Sequence, residues 1–149
     1  MSMAKIPKTV IELPLVLNEN TPSDILTHSD GTANQESEII KIKVPRNATW
    51  AFSTNDWFYF LPKDSGGSQI TSGVVRMYLY DANKIIKYKL FEGPVGLFAE
   101  KQDRNKKFFL PSGFVRTSDE LIVVTFESAT AYSKDNSEFI LTGRQFIRT

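Results

Sequence analysis

Ile40-Lys41-Ile42-Lys43-Val44 alternates large apolar and basic side chains one for one. A period of two marks a half-buried strand, because successive side chains of a strand point to opposite faces of its sheet. The same period returns further along. Val75, Met77 and Leu79 alternate with Arg76 and Tyr78. After Asp81-Ala82-Asn83, a second run sets Ile86, Tyr88 and Leu90 against Lys87 and Lys89. Two such runs with a short polar connection predict a β-hairpin. Residues 121–126 are apolar at both parities, which predicts a central strand covered on both faces.

Working outward, further strands are expected at 49–53, 57–61, 95–99, 107–110, 114–117, 120–128, 139–142 and 145–148. Turn signals separate them, among them Ser65-Gly66-Gly67, Glu92-Gly93-Pro94, Pro111-Ser112-Gly113 and Thr142-Gly143-Arg144. No window keeps the i, i+3, i+4, i+7 spacing of an amphipathic helix. The reading is an all-β chain: a β-sandwich, jelly-roll-like, with an extended N-terminal arm.

The arm is residues 5–17. Its apolar stretch, Thr9-Val10-Ile11-Glu12-Leu13-Pro14-Leu15-Val16-Leu17, contains a proline that cannot donate to a ladder. It is therefore expected as an edge strand or as an arm lying on another surface. Residues 18–37 follow as a polar tract whose only large apolar side chains are Ile25 and Leu26. So long a connection is unusual inside a compact domain and points to a functional loop or to a segment ordered by a partner. The expected division is 1–37 as arm and polar loop, and 38–149 as sandwich domain.

Composition narrows the function. The chain of 149 residues is 41% hydrophobic and 23% charged, which suits one globular domain. Its longest apolar run is the five residues 57–61, against the roughly 20 needed for a membrane span. No membrane partner is expected, and the N-terminus shows no signal-peptide core. Eighteen basic residues nearly cancel seventeen acidic ones, whereas a general nucleic-acid binder carries a basic excess. No nucleic-acid partner is expected either. The absence of cysteine excludes disulfides and thiolate chemistry. No metal and no cofactor is expected.

Catalytic constellations are missing too. His28 is the single histidine and lies in the polar tract, where the ordinary expectation is a solvated side chain rather than a triad base. Carboxylates are scattered without a recognisable pair for glycoside hydrolysis. Ser65-Gly66-Gly67-Ser68 lacks the lysine and following helix of a phosphate loop. Asn47-Ala48-Thr49 matches a glycosylation acceptor, a pattern common by chance. The chain reads as a non-enzyme.

Two features suggest binding. Trp50, Phe52, Trp57, Phe58, Tyr59 and Phe60 fall within eleven residues, and strand alternation must send some of them away from one sheet face. Trp50, Trp57 and Tyr59 are the candidates for a protein interface or a glycan platform. The basic run holding Lys101, Arg104, Lys106 and Lys107 is the candidate contact for an acidic partner.

As a whole the sequence resembles the small β-sandwich proteins that decorate or cement viral and phage capsids. The likeness lies in the Pro-containing arm, the polar hinge, the cysteine-free sandwich, and passages such as Lys43-Val44-Pro45-Arg46 and Phe109-Leu110-Pro111-Ser112-Gly113. It implies a non-enzymatic role at the virion surface after synthesis in a host cytoplasm, with capsid subunits or copies of the chain itself as partners. In that role Val10, Ile11, Leu13, Leu15 and Leu17 would fill pockets on a neighbour by strand addition. A carbohydrate- or receptor-binding module using the exposed aromatics is the alternative.

Overall fold

The computed structural model describes residues 9–83, 85, 87–98 and 107–148. Among them are eleven strands: β1 (Val10–Asn18), β2 (Leu26–His28), β3 (Ser37–Lys43), β4 (Ala48–Phe52), β5 (Trp57–Leu61), β6 (Val74–Tyr80), β7 (Lys87–Pro94), β8 (Phe108–Phe109), β9 (Phe114–Arg116), β10 (Leu121–Glu127) and β11 (Glu138–Arg148). They form two antiparallel sheets. In one, β11 pairs with β1 on one side and with β4 and β5 on the other, and these pair in turn with β9 and β8. The second runs β2-β3-β10-β6-β7.

The breaks in the first sheet are short. Along β11, β5 pairs with residues 138–141 and β4 with residues 144–147, so the two lie end to end as one interrupted strand. β8 and β9 lie end to end against them in the same way. Counting each interrupted strand once, and β2 with the edge it extends, leaves eight. They pair as first with eighth, second with seventh, third with sixth and fourth with fifth. That nested order, rolled into two four-stranded sheets, is a jelly roll.

The core lies between the sheets. Ile40, Ile42, Val75, Met77, Leu79, Ile122, Val124 and Phe126 from one sheet meet Leu15, Leu17, Trp50, Phe52, Phe58, Phe60, Phe139 and Leu141 from the other. Trp50 is fully buried and its indole N–H donates to Gln145 Oε1 at 3.0 Å. The expected central strand is β10, flanked by β3 and β6, with Val123 buried on its outward side as well.

Several expectations change. The turn read at Thr142-Gly143-Arg144 is the middle of β11, a single strand through both predicted segments. Gly143 serves close packing there: a Cβ would stand 2.7 Å from the Phe52 ring. The strand expected at 95–99 is a 3-10 turn, Val95–Leu97, which closes β7 by a bond from the Val95 N–H to the Gly73 carbonyl. In the hairpin, a register shift at Met77/Tyr78 lets both Leu90 and Phe91 turn inward and leaves Tyr88 exposed; Ile86 lies outside the described residues.

The N-terminal segment is integrated. β1 pairs with β11 along its whole length, placing Pro14 opposite Arg144. Among the described residues no strand pairs with its other edge, which is where a proline is tolerated. β2, inside the polar tract, extends the second sheet, and Gly31 bridges to Tyr132. Thus β1 and β2, which precede the boundary expected at residue 38, pair with strands that follow it.

Candidate functional site

The outer faces of the two sheets are where the molecule meets its surroundings. On the β3–β10–β6–β7 sheet, alternation sends Arg76 and Tyr78 of β6, Glu127 of β10 and Glu92 of β7 outward. Arg76 gathers three carboxylates: Nη1 lies 2.9 Å from Glu127 and 3.3 Å from Glu36, while Nε bonds Glu92. Lys89 adds a second cation to Glu92 at 3.1 Å. The Tyr78 hydroxyl donates to Glu36 at 2.7 Å, and burial together with that bond pushes its pKa up to about 12. Lys87 places its ammonium 4.0 Å from the centre of the Tyr78 ring. The polar groups here have partners.

The outer face of the other sheet differs. Its side chains lie in rows fixed by the register. Val16 is opposite Thr142, whose hydroxyl accepts from the Trp57 N–H, and Trp57 is opposite Phe109. The next row is Pro14, Arg144, Ala51 and Val115; the one after holds Glu12, Phe146 and Thr49. Val10 and Val16 are 56% exposed, Phe109 57% and Val115 53%. Trp57 and Phe146 are half-buried. Tyr59 and Leu61 form a small separate cluster on this side with Trp57 and Ile140. An exposed ion pair, Arg144 with Glu12 at 3.2 Å, crosses the face. The exposed apolar side chains thus stand at the two margins of this face, Val10 and Val16 on β1 and Phe109 and Val115 on β8 and β9, with half-buried Trp57 and Phe146 between them.

A third region is the loop end. His28 Nε2 lies 2.6 Å from the Tyr132 hydroxyl, and its ring stands edge-on to Phe139. Burial lowers the His28 pKa and raises that of Tyr132. The solvated histidine expected from the sequence is a half-buried structural one. It shares a cavity of about 320 Å³ with Glu19, Asn20, Lys134, Asp135 and Ser137.

The predicted site residues scatter. Leu15 and Leu17 of the arm are buried in the chain's own core, while Val10, Ile11 and Leu13 are exposed. Of the aromatics, Trp50 is core and Tyr59 is buried, leaving Trp57 as the one with accessible surface. Lys101, Arg104 and Lys106 lie outside the described residues. Lys107 is exposed, with its ammonium 4.5 Å from the centre of the Trp57 ring. Sequence reasoning missed Phe109 and Val115. Their signal was the doublets Phe108-Phe109 and Phe114-Val115, which must place one member on each side of a strand.

The comparisons with known proteins bear on the whole fold. No family model and no curated protein matches the sequence. Among solved structures, VP17, a capsid protein of bacteriophage P23-77, superposes with a TM-score of 0.63 over 95% of this chain and 99% of its own, at 4% identity. The fold is shared with phage capsid proteins. A complex of the two major capsid proteins of the same phage, VP16 and VP17, gives a TM-score of 0.62 over 93% and 99%, again at 4% identity. At such identity the likeness speaks for architecture, and jelly rolls also serve as lectins and cupins.

Proposed function

We propose that this chain is a structural, non-enzymatic component of a virion shell, acting through protein–protein contacts made by its sheet surface. The observation that carries the reading is the patch of Val10, Val16, Phe109 and Val115 on a jelly roll whose other outer face is saturated with ion pairs. The likeness to VP17 over 95% of this chain and 99% of that one supports it. The partners are shell subunits or further copies of the chain, and the location is the capsid. Whether it decorates the shell or builds it is a matter of copy number.

The contact is better placed on exposed side chains than on a detachable arm. Removing residues 1–17 would strip Leu15 and Leu17 from the core, so loss of attachment and loss of folding would coincide. The test is quantitative mass spectrometry of particles banded in a density gradient from cells in which the encoding genome replicates. Copies in fixed stoichiometry to the main shell protein support the role, a few hundred or more marking a shell or decoration subunit. Particles free of the chain sink it. The glycan alternative rests on Trp57 alone, whose ring already carries Lys107.

A further inference from the structure

We infer that the apolar outer face of the β1–β11–β4/β5–β8/β9 sheet is covered by the same face of a second copy, about a two-fold axis parallel to the strands. The inference names a partner for the surface used above, but it stands on the shape of that face whatever the role in a virion.

Rotation about such an axis keeps each row at its level and exchanges left for right. β1 of one copy then lies over β8 and β9 of the other, and β11 lies over β4 and β5. The side chains interlock under that exchange. Val16 of the mate sits over Phe109, and Pro14 over Val115, so the exposed apolar margins cover each other twice. On the central strands large meets small: Arg144 over Ala51, Phe146 over Thr49, and Thr142 over Trp57. A heterologous contact would gain no such reciprocity, and an isologous one repeats every favourable pair.

Size and charge agree. Four strands about 4.8 Å apart and about 30 Å long give a face of about 570 Å² in plan, more once side-chain relief is counted, close to the roughly 800 Å² per partner of a standard interface. The central ion pair, Arg144 with Glu12, contains both signs, while Lys107 beside β8 and Arg148 beside Val10 keep their charges at the margins of the face. The outer edge of β1 is a poorer route for a second copy, because Pro14 removes a donor from the middle of the strand.

The test is sedimentation velocity on the full chain across the micromolar range, with Val16→Lys and Val115→Glu as variants. Both positions are more than half exposed, so folding is retained, and thermal unfolding by circular dichroism checks this. A dimer is expected, weakened at least about 100-fold by either substitution. The cysteine-free sequence allows a geometric check. A Val16→Cys/Phe109→Cys double variant should form a covalent dimer with a short bis-maleimide, which spans the roughly 10 Å between facing sheets, while within one chain those positions are about 14 Å apart and stay unlinked. A wild-type monomer throughout, a dimer indifferent to both substitutions, or a dimer that does not cross-link would overturn the inference. A monomer that binds shells through Val115 would also overturn it, while leaving the virion role standing.

Discussion

On one outer face of this sandwich, Arg76 sits among Glu36, Glu92 and Glu127 with Tyr78 and Lys87 stacked beside it; on the other, Val16, Trp57, Phe109 and Val115 stand in rows around a single ion pair. Both sheets bury a wholly apolar inner face, mostly aliphatic on the charged sheet and largely aromatic on the other. The difference outside therefore owes nothing to the demands of the core. A face destined for water can keep a charged network, because its ions stay partly hydrated. A face destined for another protein cannot, since stripping water from unpaired charge costs more than the new contact returns. The polar face satisfies its charges within the chain, whereas the other face leaves Val10, Val16, Phe109 and Val115 more than half exposed.

The largest effect separates inner from outer side chains on the same sheet. Trp50→Ala should cost about 3–5 kcal/mol of stability, as large-to-small core substitutions do, and orphans the Gln145 amide besides. Trp57→Ala, at the first position of β5, should cost about 1–2 kcal/mol, because it loses only the outer packing on Tyr59 and Ile140. Urea unfolding of both variants checks this. Equal losses would mean that the outer face is already as covered as the core, and the contrast would fail.

The polar face comes next. Arg76→Met keeps the stem but leaves Glu36, Glu92 and Glu127 without their shared cation. The Arg76 side chain is only 18% exposed, so the loss should be about 1–3 kcal/mol, less than for a fully buried pair. The melting temperature should fall by roughly 2–4 °C per kcal/mol at this chain length. Sedimentation behaviour should not change. An oligomeric state that shifts with Arg76→Met would put a partner on the polar face and invert the assignment.

Much of this was legible in the sequence because period-two patterning reports directly on which side a residue faces. β3 and β6 follow from it, β10 follows from a run apolar at both parities, and an edge strand is one of two readings that proline's missing donor gives the Pro14 segment. The errors share one cause. Gly143 and Gly93-Pro94 carry turn chemistry in isolation, but tertiary packing decides their use: the Phe52 ring demands a glycine inside β11, and Val95 finds its acceptor on Gly73. The bulge at Met77/Tyr78 likewise shifts the parity of β7 without any local mark. Of the interaction surface less was visible. Trp50 and Trp57 differ in parity, so alternation alone separates their faces, but which parity meets the core is set by packing against the second sheet. The Arg76 network joins residues as far as 51 positions apart, a distance over which one sequence carries no pairing signal.

Acid should dissect the regions with the smallest effects. His28 has its folded pKa lowered by burial, so the unfolded chain binds that proton more tightly. Its share of stability is full above the ordinary value of 6.5 and is lost as pH falls from there through the lowered value. The groups around it set how steep the loss is: Glu19, Asp30 and Asp135 favour the charged ring, while Lys134 opposes it. Glu92 works in the same direction at lower pH. Its hydrogen bond from Arg76 holds its pKa below 4.5, so its contribution persists until pH drops beneath that ordinary value. A plot of unfolding free energy against pH should therefore fall in two stages, the first belonging to the loop end and the second to the polar face. His28→Gln should remove the first stage alone, and Arg76→Met should flatten the second alone. The apolar face carries no histidine, so dimer dissociation should stay flat through the first stage. A dissociation constant that tracked the His28 step would tie the loop end to the interface and break the separation of regions on which the comparison rests.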